Sequence, residues 1–368
     1  MASTFSELTQ SYASLVGARA AWFVHARNTV DAIAALGLVG PGDRLVACAP
    51  DLEKALASRF GARQLAFAKE PTADALARAT GLVPDPDDIP EDVSDDHPEH
   101  HASYASGSGA HFEHLYWFVD GMGGRGLRVA DVRDLAEEAC RAGAILMIDN
   151  TVASFFGCRP LAMGAHIALE ALDRVAEGAL REKAVALAVA PSVMGRGRKR
   201  RSDPLAEDAY LALAMRLGMG AAPATGFDAD DLSAIAGGLA SMPARMQVHM
   251  DNARAISAYL EANEMVPWVS YPGLPSHPDR SFSGNVLEHG FGPAVDFELP
   301  YGVTAHAFIA VVAPEFRCAP AGGRLTRMSA LDGDDGRYIR LFSGVDDPLD
   351  IVDSLDQALR MFCNPPHA

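Results

Sequence analysis

The chain has 368 residues, 49% of them hydrophobic and 21% charged, with 48 acidic against 31 basic side chains for a formal net charge of −17. That length suits one large domain or two, and the acidic balance argues against nucleic acid as a general partner. There is no apolar run long enough to span a bilayer, and "MASTFSELTQSYASLVG" lacks a basic start before an apolar block, so neither a membrane span nor a signal peptide is expected and the cytoplasm is the expected location.

From residue 20, "AAWFVHARNTVDAIAAL" reads as a buried strand or turn leading into a helix, and "PGD" at residues 41–43 punctuates before the short strand "RLVACA". Residues 52–62 have a helical pattern, and "QLAFA" returns to strand. Such alternation of apolar strands and amphipathic helices predicts an α/β domain with a mostly parallel sheet. Residues 83–114 break the order with an acidic stretch rich in Pro, Ser, Gly and His. Carboxylates and imidazoles suit divalent cations, but no fixed ligand spacing is present, so a solvated insertion is expected and no metal site is assigned.

"LYWFVDG" resumes the strands. The helix "VADVRDLAEEACRAG" closes at Gly143, and the apolar strand "AILMID" ends in Asp149. A further strand, "AVALAVA", occupies residues 184–190. The basic run at residues 196–201 reads as a surface loop rather than a nucleic-acid patch, because no aromatic residue interrupts it. "DLSAIAGGLASMPARMQVHMDNARAISAYLEAN" is one long helix or two with a Gly-Gly break. "AVDFEL", "AFIAVV" and "YIRLFSG" read as strands, and "DPLDIVDSLDQALRMF" as an amphipathic helix. The five cysteines are scattered without a C-x-x-C pair, so neither a disulfide framework nor a zinc site is expected.

Three long blocks carry a resemblance. "ILMIDNTVASFFGCRPLAMGAHI" resembles the LLVVDNTFASP…RPLELGADI block of the Cys/Met-metabolism enzymes that use pyridoxal phosphate, the cystathionine γ-synthase and γ-lyase family. "PARMQVHMDNARAISAYLEANEMVPWVSYPGLPSHP" and "YIRLFSGVDDPLDIVDSLDQAL" are similar to two later blocks of that family. The resemblance implies a fold-type I architecture: a large domain with a mainly parallel seven-stranded sheet, and a small C-terminal α+β domain. The expected divisions are a short N-terminal remnant at 1–16, the large domain at 17–238 with its acidic insertion at 83–114, and the small domain at 239–368.

The resemblance also implies roles. Asp149 stands where the family places the carboxylate under the cofactor's pyridine nitrogen, and Arg340 where it places the fork that grips a substrate α-carboxylate. From the residues alone, Asp149 is equally a cap for the next turn, and Arg340 equally a surface ion pair with the acidic "DGDDG" upstream. The lysine that tethers the cofactor is replaced. In "GAHIALEALDRVAEG" Arg174 occupies its position, and a guanidinium stays protonated and cannot form the aldimine. Ala171 and Asp173 stand where the family has hydroxyl side chains, and "VHARNTV" lacks the glycine of the phosphate cup. The family's stacking tyrosine is missing from "PDLEKAL", its Asn is Gly124, and a serine is Pro320. Only four lysines exist, and Lys54 or Lys183 would be the substitute amine, Lys54 being closer in sequence to the missing tyrosine.

The expectation is therefore a catalytically degenerate homologue of the trans-sulfuration enzymes that does not hold pyridoxal phosphate covalently. The alternative is an active β/γ-elimination or γ-replacement enzyme using another lysine. The resemblance implies self-association as a tetramer or, without the family's exchanged N-terminal arm, a dimer. An amino-acid-like small anion or an active paralogue are the further expected partners.

Overall fold

A computed structural model describes residues 4–82, 112–194, 201–218, 226–312, 322–331 and 336–363. Most of the acidic insertion, the basic run at 196–200, Pro320 and the "DGDDG" acids lie outside the described residues.

The large sheet has seven strands: β1 (Ala20–His25), β2 (Arg44–Cys48), β3 (Leu65–Phe67), β4 (Leu115–Asp120), β5 (Ala144–Asp149), β6 (Ile167–Ala171) and β7 (Ala184–Val189). Their spatial order is β1-β7-β6-β5-β4-β2-β3. β7 runs antiparallel to both β1 and β6, and the remaining pairs are parallel. β4, β5 and β7 are buried along their whole length, as strands in the middle of a sheet covered on both faces must be. Alternation sorts the side chains. Trp117 and Val119 of β4 pack with Leu135 and Ala139 of the helix Val132–Ala142, while Tyr116 and Phe118 join Ile33 and Leu213 on the opposite face. That helix ends at Gly143 with φ of 67°, as its sequence predicts, and is capped at the start by Asp131.

The first sixteen residues are more than a remnant. Thr4 caps a helix, Phe5–Val16, through a reciprocal capping box with Glu7, and the helix buries Leu8, Tyr12, Ala13 and Val16 against β1.

The C-terminal part carries a four-stranded antiparallel sheet of β8 (Trp268–Ser270), β9 (Ala294–Glu298), β10 (Arg327–Ala330) and β11 (Tyr338–Phe342), in the order β8-β9-β11-β10. The helix Pro348–Cys363 covers it, with Ile351, Leu355 and Leu359 in the core. "AFIAVV", expected as a strand, is instead within a helix, Ala305–Val311. Thr304 caps it by accepting from Ala307 N–H, and Phe308 is buried against Phe297 and Phe362. A short apolar run does not distinguish the two by periodicity.

A single helix, Ala229–Ala262, links the two parts and continues through the Gly-Gly pair and Pro243. Gly238 is required by proximity: a Cβ there would lie 1.8 Å from the Val175 carbonyl oxygen. Arg245 donates to that same carbonyl at 3.2 Å and faces Glu177 at 3.3 Å, and Asn252 donates to the carbonyls of Gly344 (2.9 Å) and Asp346 (2.8 Å). The "RMQVHMDNA" block thus binds the helix to the turn after β6 and to the segment after β11.

Candidate functional site

Open α/β sheets present ligands at the carboxyl ends of their strands. Here β4 ends at Asp120 and β5 at Asp149, which are register partners in neighbouring parallel strands. Both are buried at 8% exposure. Thr29 Oγ1 donates to Asp149 Oδ2 at 2.5 Å, and Thr151 N–H donates to Oδ1 at 2.9 Å. Burial raises the Asp149 pKa, and these hydrogen bonds oppose the rise. A cleft of about 240 Å³ opens over the strand ends, with Asp51, Asp120, Asp149 and Asp173 in its wall together with Arg27 and Lys183. A second cavity of about 130 Å³, bounded in part by Arg174, Arg327 and Phe342, shares Thr151, Val152, Ala171 and Asp173 with the first.

Arg174 lies in a one-turn helix, Leu172–Val175, directly after β6. It is 7% exposed. Its Nε donates to the Thr151 carbonyl at 3.3 Å, and its guanidinium lies 5.4 Å from the centroid of the Phe342 ring. Burial pushes its pKa down to about 10, against the pull of Glu170, which leaves it a cation at neutral pH. Glu170 is fully enclosed: Tyr12 Oη and Phe155 N–H donate to its Oε2 at 3.0 Å and 3.1 Å, while Oε1 has no partner among the described residues. Burial lifts this carboxyl to about 8. His249, on the long helix, has neither ring nitrogen bonded among the described residues, and burial followed by the Arg174 charge lowers it to about 3. Arg174 is thus a packed, partly compensated cation.

Arg340, on β11, is buried and bound within the chain. Its Nε and Nη2 hold Asp296 at 2.8 Å and 2.9 Å, Nη1 holds Asp51 at 2.6 Å, and Nη2 also donates to the Gly124 carbonyl at 2.6 Å. Burial would lower its pKa, but Asp296 and Asp51 raise it above its ordinary value. A substrate carboxylate would have to displace Asp51. Of the two substitute lysines, Lys183 lines the cleft and Lys54 does not. Lys183 is exposed, beside Asp173.

The structure therefore gathers Asp149, Lys183 and Asp173 around one cleft, sets Arg174 at its neighbour, and ties Arg340 across its far side. Sequence reading missed Asp51, Asp120, Tyr12 and Glu170. "LYWFVD" carried the same signal as "AILMID", a wholly apolar strand closed by an acid. The partners of Arg340 are separated from it by too much chain for any spacing to show. Glu113 and His114, at the downstream end of the acidic insertion, cluster with Asp43, where His114 Nδ1 is already 2.9 Å from Asp43 Oδ1.

Pyridoxal phosphate, the group the resemblance implies, asks for an amine, a phosphate cup and a carboxylate under the ring. The carboxylate is present as Asp149. The cup is occupied: at the helix Thr29–Ala35, Asn28 Oδ1 takes the Asp31 N–H at 2.8 Å, and the Asp31 carboxylate sits in the first turn between Arg27 (2.7 Å) and Arg59 (2.8 Å). Asp51, Asp120 and Asp173 line the same cleft as Asp149, with Arg27 and Lys183 as its cations. The residue that the resemblance places at the amine position, Arg174, carries a guanidinium and not an amine. These residues do not fit the tethered cofactor.

The fold and the sequence nonetheless have clear relatives. Cystathionine gamma-synthase of Mycobacterium tuberculosis is 29% identical over 248 residues, 63% of this chain and 58% of that protein. Cystathionine gamma-lyase of Bos taurus is 29% identical over 260 residues, 66% of this chain and 59% of that protein. The matched stretch spans less than two thirds of either relative's length. The crystal structure of apo CalE6, a methionine gamma lyase from Micromonospora echinospora, superposes with a TM-score of 0.73 at 24% identity, covering 96% of this chain and 86% of that one. That of metB from Corynebacterium glutamicum gives 0.72 at 19% identity, covering 97% and 84%. Both share the fold. The family model of the Cys/Met metabolism PLP-dependent enzymes matches residues 115–313, more than half of the chain and a span that contains both strand-end acids, Arg174 and the whole long helix; the chain belongs to that family, as a homologue of its trans-sulfuration enzymes.

Proposed function

We propose that this chain is a catalytically inert member of its family, whose cleft binds a small molecule without forming a Schiff base. The observation that supports this is Arg174. A nucleophilic amine must be deprotonated to condense with an aldehyde, and this guanidinium remains charged while it is packed on Phe342 and drawn to Glu170. The remaining cleft argues for retained binding. It stays open over Asp149, and the helix that joins the two parts keeps its internal bonds.

Borohydride trapping tests the proposal. The purified chain is incubated with pyridoxal phosphate, reduced, and weighed by intact mass spectrometry. No pyridoxyl adduct and no aldimine absorption band are expected. An adduct mapped to a single lysine, Lys183 being the one at the cleft, would overturn the proposal in favour of an active elimination or replacement enzyme.

A further inference from the structure

The cleft disagrees with pyridoxal phosphate in sign. We infer that it is a site for a small organic cation, a primary ammonium on a short apolar chain, seated between Asp120 and Asp149. The inference rests on the inert reading of the same cleft and names the class of ligand it takes.

Four carboxylates line the cleft, and two of them are already compensated. Asp51 is held by Arg340 at 2.6 Å, and Asp173 faces Lys183 and Arg174. Arg27 is engaged with Asp31 at 2.7 Å and its side chain is 76% exposed, so it lies at the rim. What remains is the pair at the strand ends. Asp149 has neutral donors, Thr29 and Thr151. Asp120 has none: among the described residues no side chain or backbone N–H donates to its carboxylate, although the residue is only 8% exposed. Its carboxylate opens on the cleft and is left for a partner that enters from outside the chain.

The chain makes room for this arrangement. A Cβ on Gly123 would fall 2.4 Å from Asp120 Oδ2, so only glycine there leaves the carboxylate its place. Leu52, Met122, Val152 and Ala171 supply the apolar part of the wall. A cleft with two adjacent carboxylates and an aliphatic wall suits an alkylammonium better than a hydrated metal ion, which prefers an all-oxygen shell.

Burial, then the charges of Asp149 and Asp51, hold the Asp120 carboxyl well above its ordinary range, with Arg340 opposing and the Cys48 thiol behind it. A cation seated there favours the ionised form of Asp120. The incoming ammonium forms a charge-assisted hydrogen bond to the carboxylate, and any proton the carboxyl carries leaves to the buffer. No bond to carbon is made or broken.

Calorimetric titration of the full-length chain with n-butylamine, in two buffers of different ionisation enthalpy and without pyridoxal phosphate, tests the inference. Binding is expected, tightening as pH rises because the raised Asp120 carboxyl has to be ionised to pair with the ammonium. The neutral isostere 1-butanol, inorganic phosphate and Mg²⁺ are expected to give none. Asp120→Asn should weaken butylamine by about tenfold or more while leaving the chain folded, and Glu137→Gln on the exposed face of the helix Val132–Ala142 should not change it. Absence of butylamine binding, binding untouched by D120N, or a preference for phosphate or Mg²⁺ would overturn the assignment. The borohydride experiment fails separately. An adduct with butylamine binding intact defeats the inert reading alone, and no adduct with no butylamine binding defeats the cation site alone.

Discussion

The two buried arginines at the cleft solve the same problem in opposite ways. Arg340 is surrounded: two carboxylates and a backbone carbonyl take its donors, and the fork geometry of the guanidinium is used in full on Asp296. Arg174 is merely enclosed. It has one carbonyl, one aromatic face and the charge of a carboxyl that burial has itself pushed toward neutrality. A residue of the Arg340 kind is part of the scaffold, because its removal strands a partner. One of the Arg174 kind holds a single carbonyl, so its removal strands less.

Three substitutions sharpen the contrast. Arg340→Met should have the largest effect, since it leaves Asp296, which is fully buried, without its counter-ion; a loss of about 3–5 kcal/mol in urea unfolding is expected. If the loss is as small as for an exposed pair, Arg340 is not the clamp described. Glu170→Gln comes next and shows itself in pH dependence. The folded pKa of Glu170 is raised, so its contribution is fully present below the unfolded value of 4.5 and is lost as pH rises through about 8. The unmodified chain should therefore lose stability over that window, by something on the order of 5 kcal/mol, and the glutamine variant should show a flatter profile. A pH profile identical in both would show that Glu170 ionises freely. Arg174→Lys should be mildest, at about 1 kcal/mol. The charge beside Glu170 stays, while the bond to the Thr151 carbonyl and the planar contact on Phe342 are lost. A cost approaching that of Arg340→Met would place both arginines in one class.

Much of the scaffold was legible because its signals are local. "AILMID" shows a doubly covered strand in six letters, and the Gly143 stop ends the preceding helix on its own. Asp149 was legible for the same reason, with the family block around it. Asp120 was equally local and went unread, because no family role drew attention to it. The Arg340 clamp was not legible at all. Its acids come from residues 51 and 296, brought together only when β11 pairs with β9 and that sheet closes on the large domain. The N-terminal helix escaped for a related reason: its role depends on Tyr12 reaching Glu170, 158 residues away. "AFIAVV" failed differently, since six apolar letters carry either period until Thr304 starts the helix.

The helix Ala229–Ala262 also constrains motion. Its early turns lie against the Val175 carbonyl, and Asn252 further along holds the backbone beyond β11. It behaves as a beam fixed at two points, so any opening of the cleft has to bend outside it or carry both attachments along. A visitor that wedges the strand ends apart would then be felt at the C-terminal sheet.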